Sequence, residues 1–355
     1  EKGKKYIMNK LTKVGCSALC GSLAAISAAN AGEMTVTGGA DMTWVSHGAT
    51  VTGNPIGIGS NLTFKGSGEL DNGWTYDLTV ANANANAFSA ATINLDMGGY
   101  GSLNFDQGAS YNGIKAYDDK MPTAWEESWG AGMGTGIILP TGAGTSHNIK
   151  YTTPKILGIT IAGTLAPQYG ATDNPDKTQS GPSNSEFGKG KDVVININPS
   201  FGTEILSDLN IFAGAAEIET QGNSSYEHNQ YDAVAGITLS LGPVSIGRQM
   251  SGHFTGIESV EDDYNGYRAD AFGVAFNVND NLSLSYGGWD QRKAAYTRAN
   301  GIGGPADRNT KVRSFQVAMT MGGASVRLAD IKTENNKWVA GADDHATVIS
   351  LGLAF

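Results

Sequence analysis

The chain has 355 residues, 49 of them Gly, with 16% charged residues, 8% aromatics and a net charge of −10. That much glycine without a Gly-X-Y period excludes collagen and argues against a mostly helical protein. Charge well below the ~25% usual in globular chains argues against a coiled coil or a charge-rich disordered chain. The acidic balance offers no basic face to phosphates, so no nucleic-acid partner is expected.

The first segment reads as an address. Glu1 to Ile7 precede Met8 and lie upstream of the expected start; a basic stretch with Lys10 and Lys13 follows, then an apolar and small-residue run from Val14 to Ile26. Ala29-Asn30-Ala31 completes an A-x-A cleavage site, so residues 1–31 are expected to be a signal peptide with its upstream residues, and 32–355 the exported domain. The apolar run is shorter than the ~20 residues that span a bilayer as a helix. Cys16 and Cys20 leave with this leader, so neither a disulfide framework nor a cysteine metal site is expected.

Beyond Gly32 one pattern recurs: an alternation of apolar with polar or small residues, then a turn. Met34, Val36, Met42 and Trp44 fall on one face, and Thr35, Thr37, Asp41 and Thr43 on the other. Leu62 and Phe64 oppose Thr63 and Lys65; after Asp71-Asn72-Gly73, Trp74, Tyr76, Leu78 and Val80 oppose Thr75, Asp77 and Thr79. These two runs and their turn read as a hairpin. Ile93 and Leu95 turn through Gly98-Gly99 into Leu103 and Phe105; Ile149 and Tyr151 precede Ile159, Ile161 and Leu165, then Val193 and Ile195. A less regular run covers Leu209 to Ala215. Ile237 and Leu239 turn at Gly242-Pro243 into Val244; Phe272 and Val274 turn at Asn279-Asp280-Asn281 into Leu282; Phe315 and Val317 turn at Gly322-Gly323 into Val326. The last run ends Ile349, Leu351, Leu353, Phe355, which makes sixteen strands.

Short turns alternate with long connections such as Gln168–Lys191, Ser251–Arg268 and Asp290–Lys311. Short turns on one side and long loops on the other, mild polar faces, and aromatics at strand ends (Trp44, Trp74, Tyr100, Tyr151, Phe355) fit a transmembrane antiparallel β-barrel better than a sandwich or β-solenoid. The fold expected is all-β: a barrel of about sixteen strands, wide enough for a water-filled lumen.

Three stretches carry a family likeness. Gly101-Ser102-Leu103-Asn104-Phe105 is similar to a G-x-L-x-F strand, Asn148 to Pro154 with Gly158 to a Y-x-S/T-P segment, and Phe355 to a terminal aromatic. In that order and spacing they resemble the general porins of Gram-negative bacteria, over the whole length after the leader. The chain departs from the family where Asp106 and Gln107 follow the Phe, where Ile156 replaces an aromatic, and where Met121-Pro122-Thr123-Ala124 stands for the usual loop tip. It is similar to a divergent branch.

The resemblance implies that Gln107 to Gly144 is a constriction loop folded inside the barrel. Its carboxylates Asp118, Asp119, Glu126 and Glu127 outnumber Lys115 and Lys120, and an acidic ring in a lumen favours cations. Strand parity puts Lys65, Lys150 and Arg327 on the facing wall as its bases. Phe355 becomes the signal read by the barrel-assembly machinery. The expected function is passive diffusion of small hydrophilic solutes and ions across the outer membrane, by a homotrimer set in outer-membrane lipid and lipopolysaccharide, without enzyme activity or cofactor. The alternatives are a solute-specific outer-membrane channel and a surface structural or adhesion barrel.

Other candidates are weaker. Asp343-Asp344-His345 resembles part of a rim protease site but lacks a second acid pair; the five His residues are scattered, and Ser146-His147 precede a strand start. Gly130 to Gly134 has the glycines of a dinucleotide fingerprint without the strand–helix context. Glu258, Glu261, Asp262 and Asp263 could bridge lipopolysaccharide through divalent cations but read better as a solvated loop tip.

Overall fold

The computed structural model describes residues 31–48, 54–84, 86–107, 112–130, 133–170, 186–199, 208–221, 228–257, 264–295 and 308–354. The expectations for the leader up to Asn30, for Phe355 and for the Glu258–Asp263 cluster lie outside these residues.

The strands are β1 (Ala31–His47), β2 (Ile56–Glu69), β3 (Thr75–Ala83), β4 (Asn86–Asp96), β5 (Ser102–Asp106), β6 (Asn148–Thr152), β7 (Ile159–Ala166), β8 (Phe187–Ile197), β9 (Leu209–Thr220), β10 (Gln230–Leu241), β11 (Val244–Phe254), β12 (Tyr264–Asn279), β13 (Leu282–Ala295), β14 (Arg308–Met321), β15 (Ala324–Glu334) and β16 (Asp344–Ala354). Each pairs antiparallel with its chain neighbours, and β1 closes on β16 from Gly39↔Ala354 to His47↔Ala346. Among the described residues the sixteen strands thus form one closed barrel with no free edge, so the ladder satisfies the backbone polar groups that lipid could not. Among the described residues no helix is long and apolar enough to cross a membrane, and the strands make the crossing.

Alternation sets the two faces. On β14, Phe315, Met319 and Met321 are 44%, 43% and 55% exposed, while Thr310, Ser314 and Gln316, on the opposite face of the same strand, are buried. Large apolar side chains left this open on every wall have lipid as their solvent. The β2–β3 hairpin is closed at Gly73, whose φ of +82° favours glycine, with Asn72 Oδ1 accepting from Trp74 N at 3.1 Å.

Two features depart from the expected layout. First, the strands run beyond the apolar alternation: the expected loops from Ser251, Asp290 and Gln168 shorten, because β11 reaches Phe254, β13 reaches Ala295 and β8 starts at Phe187. The outward positions there are charged (Arg268, Asp270, Asp290, Arg292, Lys311, Arg313), so the strand continues above the lipid-facing band without apolar residues to mark it.

Second, the inward face is not uniformly polar. Trp289, Val312, Ala329, Ile331, Ala346 and Val348 point inward and are fully buried, in one cluster with Met121, Met133 and Ile137 of the long 107–147 connection. A second cluster joins Ile114 to Val194, Phe212, Ala216 and Val234. The wall is lowest at β5 and β6, five residues each, where that connection leaves and rejoins the barrel.

Candidate functional site

The 107–147 connection lies against the inner wall from β8 to β15 and back. It is rooted at Asn112, whose Nδ2 donates to Asn104 Oδ1 (2.7 Å) and Asn148 Oδ1 (2.8 Å). A short 3-10 turn, Gly113–Tyr117, then packs Ile114 into the second cluster and sets Tyr117 against Phe212, ring centroids 5.0 Å apart.

Beyond that turn, three buried glutamines clasp the loop to the wall. Gln249 of β11 accepts from Lys120 N (3.1 Å) and donates to Asp118 O (2.6 Å). Gln316 of β14 accepts from Trp125 N and Glu126 N (3.2 and 3.0 Å) and donates to Glu126 O (2.7 Å). Gln291 of β13 clasps the returning limb, accepting from Ile138 N (2.8 Å) and donating to Ile138 O (2.6 Å). A primary amide carries a donor and an acceptor side by side, so each glutamine stands in for a strand partner that the loop lacks. Between these clasps, Pro122 lies on bare glycine: a Cβ on Gly273 would come within 2.7 Å of Pro122 O, and one on Gly247 within 2.7 Å of Pro122 Cδ. The returning root is tied by carboxylates. Asp232 Oδ2 accepts from Thr141 N (3.1 Å) and Gly142 N (2.9 Å), its Oδ1 meets His253 Nδ1 at 2.6 Å, and Asp192 Oδ2 accepts from Ala143 N (3.1 Å).

The four loop carboxylates differ in surroundings. Both oxygens of Asp119 are engaged within the loop, Oδ1 accepting from Met121 N and Oδ2 from Trp129 Nε1, each at 2.9 Å; burial pushes its pKa up to about 6. Burial also raises Asp118. Glu126 lies against Glu127: the hydrogen bond to Glu127, then burial, push Glu126 up to about 8, so Glu126 holds its proton at neutral pH. Glu127 itself is exposed.

Two of the three bases of the facing wall meet carboxylates. Lys65 Nζ lies 3.5 Å from Asp77 Oδ1, and Arg327 Nη2 lies 2.9 Å from Asp41 Oδ1; Lys150 is half-buried on the inward face of β6. At the rim, Asp343 Oδ1 accepts from Asn335 N (3.0 Å) and His345 Nε2 meets Asp330 Oδ2 (2.7 Å) on the outward face. Ser146 Oγ accepts from Gly170 N (2.9 Å), which ties one loop to another. Among the described residues no group of His, Cys, Asp and Glu is placed to hold a metal. Sequence reasoning singles out the charges but not Gln249, Gln291, Gln316 or Asp232. Their one visible signal is a polar residue at an inward position between two outward ones.

A family model described as Gram-negative porin matches residues 15–355. Among curated proteins no sequence matches the chain. Among solved structures, OmpF of Salmonella typhi, in complex with daunomycin, is similar at a TM-score of 0.65 and 13% identity, covering 91% of this chain and 97% of that one. An anion-selective porin from Comamonas acidovorans is similar at 0.61 and 14%, covering 91% and 99%. OmpT of Vibrio cholerae, with its loop L8 deleted, is similar at 0.59 and 13%, covering 91% and 99%. At these identities the likeness concerns the fold.

Proposed function

Because the chain belongs to the Gram-negative porin family, and is thereby an outer-membrane diffusion channel on a non-enzymatic barrel, we propose that it passes small hydrophilic solutes and ions with a preference for cations. The observation that carries the preference is an imbalance. Lys65 and Arg327 each have a carboxylate beside them, whereas the loop's four acids outnumber its two lysines, with Glu127 open to the lumen. Charge on one side of a narrow aqueous path raises the local concentration of counter-ions. On this reading the constriction acids are Asp118, Asp119, Glu126 and Glu127, faced by Lys65 and Lys150, while Arg327 sits beneath the Trp125 ring of the loop tip. Residues 1–31 are a leader removed on export, and Phe355 is read by the assembly machinery. The channel works as a homotrimer among outer-membrane lipid and lipopolysaccharide, which the band of exposed apolar residues accommodates.

The test is the reversal potential in a planar bilayer under a KCl gradient. A cation-directed potential is expected, and Glu126→Gln with Glu127→Gln should lower the K+/Cl− permeability ratio by roughly half. An anion-directed potential in the parent channel would overturn the reading.

The same measurement has a pH dependence. Raising the pH through about 6 ionises Asp119, and through about 8 ionises Glu126, so the lumen gains negative charge in two steps. The K+/Cl− ratio should therefore rise with pH. Glu127→Gln should weaken the upper step, because Glu126 then loses the carboxylate that holds its proton. A ratio that falls with pH would show that other groups dominate.

A further inference from the structure

Strand parity makes Arg327 a pore-lining base, but its surroundings give it a different role. Its guanidinium is gripped from below by Ser325 Oγ, which accepts from Nε (2.9 Å) and Nη2 (2.8 Å), and from the side by Asp41 Oδ1, which accepts from Nη2 (2.9 Å). It is roofed by the loop tip: the Trp125 ring centroid lies 5.6 Å from Arg327 Cζ, and Gln316 fixes the Trp125 and Glu126 backbone above it.

The ion pair crosses a strand to form. Ser325 and Asp41 both pair with Gly352 of β16, one from β15 and one from β1, so Arg327 reaches Asp41 over the seam where the first strand meets the last. Only a residue without a side chain leaves room: a Cβ on Gly352 would come within 2.5 Å of Asp41 Oδ1 and closer still to Arg327 Nη2. The two partners are unequally open. The Arg327 side chain is 20% exposed and that of Asp41 49%, and both border a recess of about 650 Å³ in the lumen. A permeating ion at this corner meets the carboxylate first.

We propose that Asp41 is a selectivity-determining residue of the channel, which presents its own charge to the lumen and holds Arg327 back beneath the loop tip. The inference rests on the pore reading above. It makes the two charges dependent on each other: removing Asp41 both deletes an anion and releases a cation, whereas removing Arg327 alone deletes a charge the pore barely sees.

The test is a double-mutant cycle on the K+/Cl− permeability ratio of the full-length protein, with the heat-induced gel shift of the barrel as a check on folding. Asp41→Asn is expected to lower the ratio by roughly threefold, and Arg327→Gln to change it by less than about 1.5-fold. Adding Arg327→Gln to Asp41→Asn should recover about half of the loss on a logarithmic scale. If Arg327→Gln shifts the ratio equally in both backgrounds, Arg327 lines the pore in its own right and the proposal fails. An unchanged ratio in Asp41→Asn also overturns it. A parent protein that passes no current sinks the pore reading itself, which separates the two failures. Since Asn at position 41 keeps the shape of Asp and Gly352 is untouched, the seam retains its packing.

Discussion

Replacing both Gln249 and Gln316 with leucine should free the outgoing limb of the constriction loop, with single-channel conductance rising about twofold and open-channel noise increasing with it. The two amides satisfy five backbone groups: Lys120 N, Asp118 O, Trp125 N, Glu126 N and Glu126 O. A buried backbone group without a partner costs about 1–3 kcal/mol, and leucine offers none. The limb can escape that cost only by lifting towards water in the lumen. Its apolar anchors on this stretch are few, Met121 and the partly buried Trp125, against which the orphaned groups sum to more. Because Asp118, Glu126 and Glu127 ride on the limb, the cation preference should weaken together with the rise in conductance. The barrel itself should keep its heat-shifted mobility, since both side chains point inward and no strand pairing is lost. Parent-like conductance and selectivity in the double variant would show that the apolar contacts and the Ser285 Oγ bond from Ala124 N (2.8 Å) hold the limb without the glutamines.

Barrel geometry decides which features are legible in the sequence and which are hidden. Lipid-facing positions are readable because they require apolar residues at every second place: Phe315, Val317, Met319 and Met321 announce β14 without help. The length of the 107–147 connection is readable too. The glue between that loop and the wall is hidden, because parity separates inside from outside but not lumen facing water from lumen covered by loop. A trace of it exists in residues that are apolar and out of phase. Val312 sits between Lys311 and Arg313, and Ile331 between Asp330 and Lys332, so the outward positions are charged and the inward ones apolar, the reverse of the membrane band. Such inversions mark the level at which the strand has left lipid and its inner face carries the folded-in loop. Pairing across the seam has no trace at all. Parity puts Arg327 on the inward face, but nothing links it to Asp41, 286 positions away, until the barrel closes.

The returning limb has a separate fastening, and Trp338→Ala should undo it. After β15 the chain turns back into the barrel mouth through Asn335, Lys337 and Trp338, all left-handed, with φ of +52°, +53° and +58°. Asparagine adopts this conformation readily, but for Lys337 and Trp338 each costs about 1–2 kcal/mol, so strong contacts must hold the turn. Trp338 supplies them. Its indole is 9% exposed, packs edge-on against Tyr267 at 5.6 Å, takes the Lys293 ammonium at 5.1 Å, and leaves no room for a side chain on Gly136 of the loop. Next to it, Lys337 N donates to Thr135 O (3.2 Å), and Trp338 N donates to Thr310 Oγ1 (3.0 Å), whose hydroxyl in turn donates to Asn335 O (2.9 Å). Deleting a buried indole costs about 3–5 kcal/mol, enough to let the strained residues relax and the turn swing clear of Thr135 and Gly136. Two readouts test this: native trypsin digestion should cut after Lys337 in Trp338→Ala but not in the parent, and channel noise should rise. Trp338→Phe, which keeps part of the ring contact, should fall between them. Cation preference should hardly move, because the acids sit on the outgoing limb that Gln249 and Gln316 retain. Resistance at Lys337 with parent-like noise would mean that the backbone bonds to Thr135 and Thr310 suffice. A loss of cation preference would mean that the two limbs move as one body.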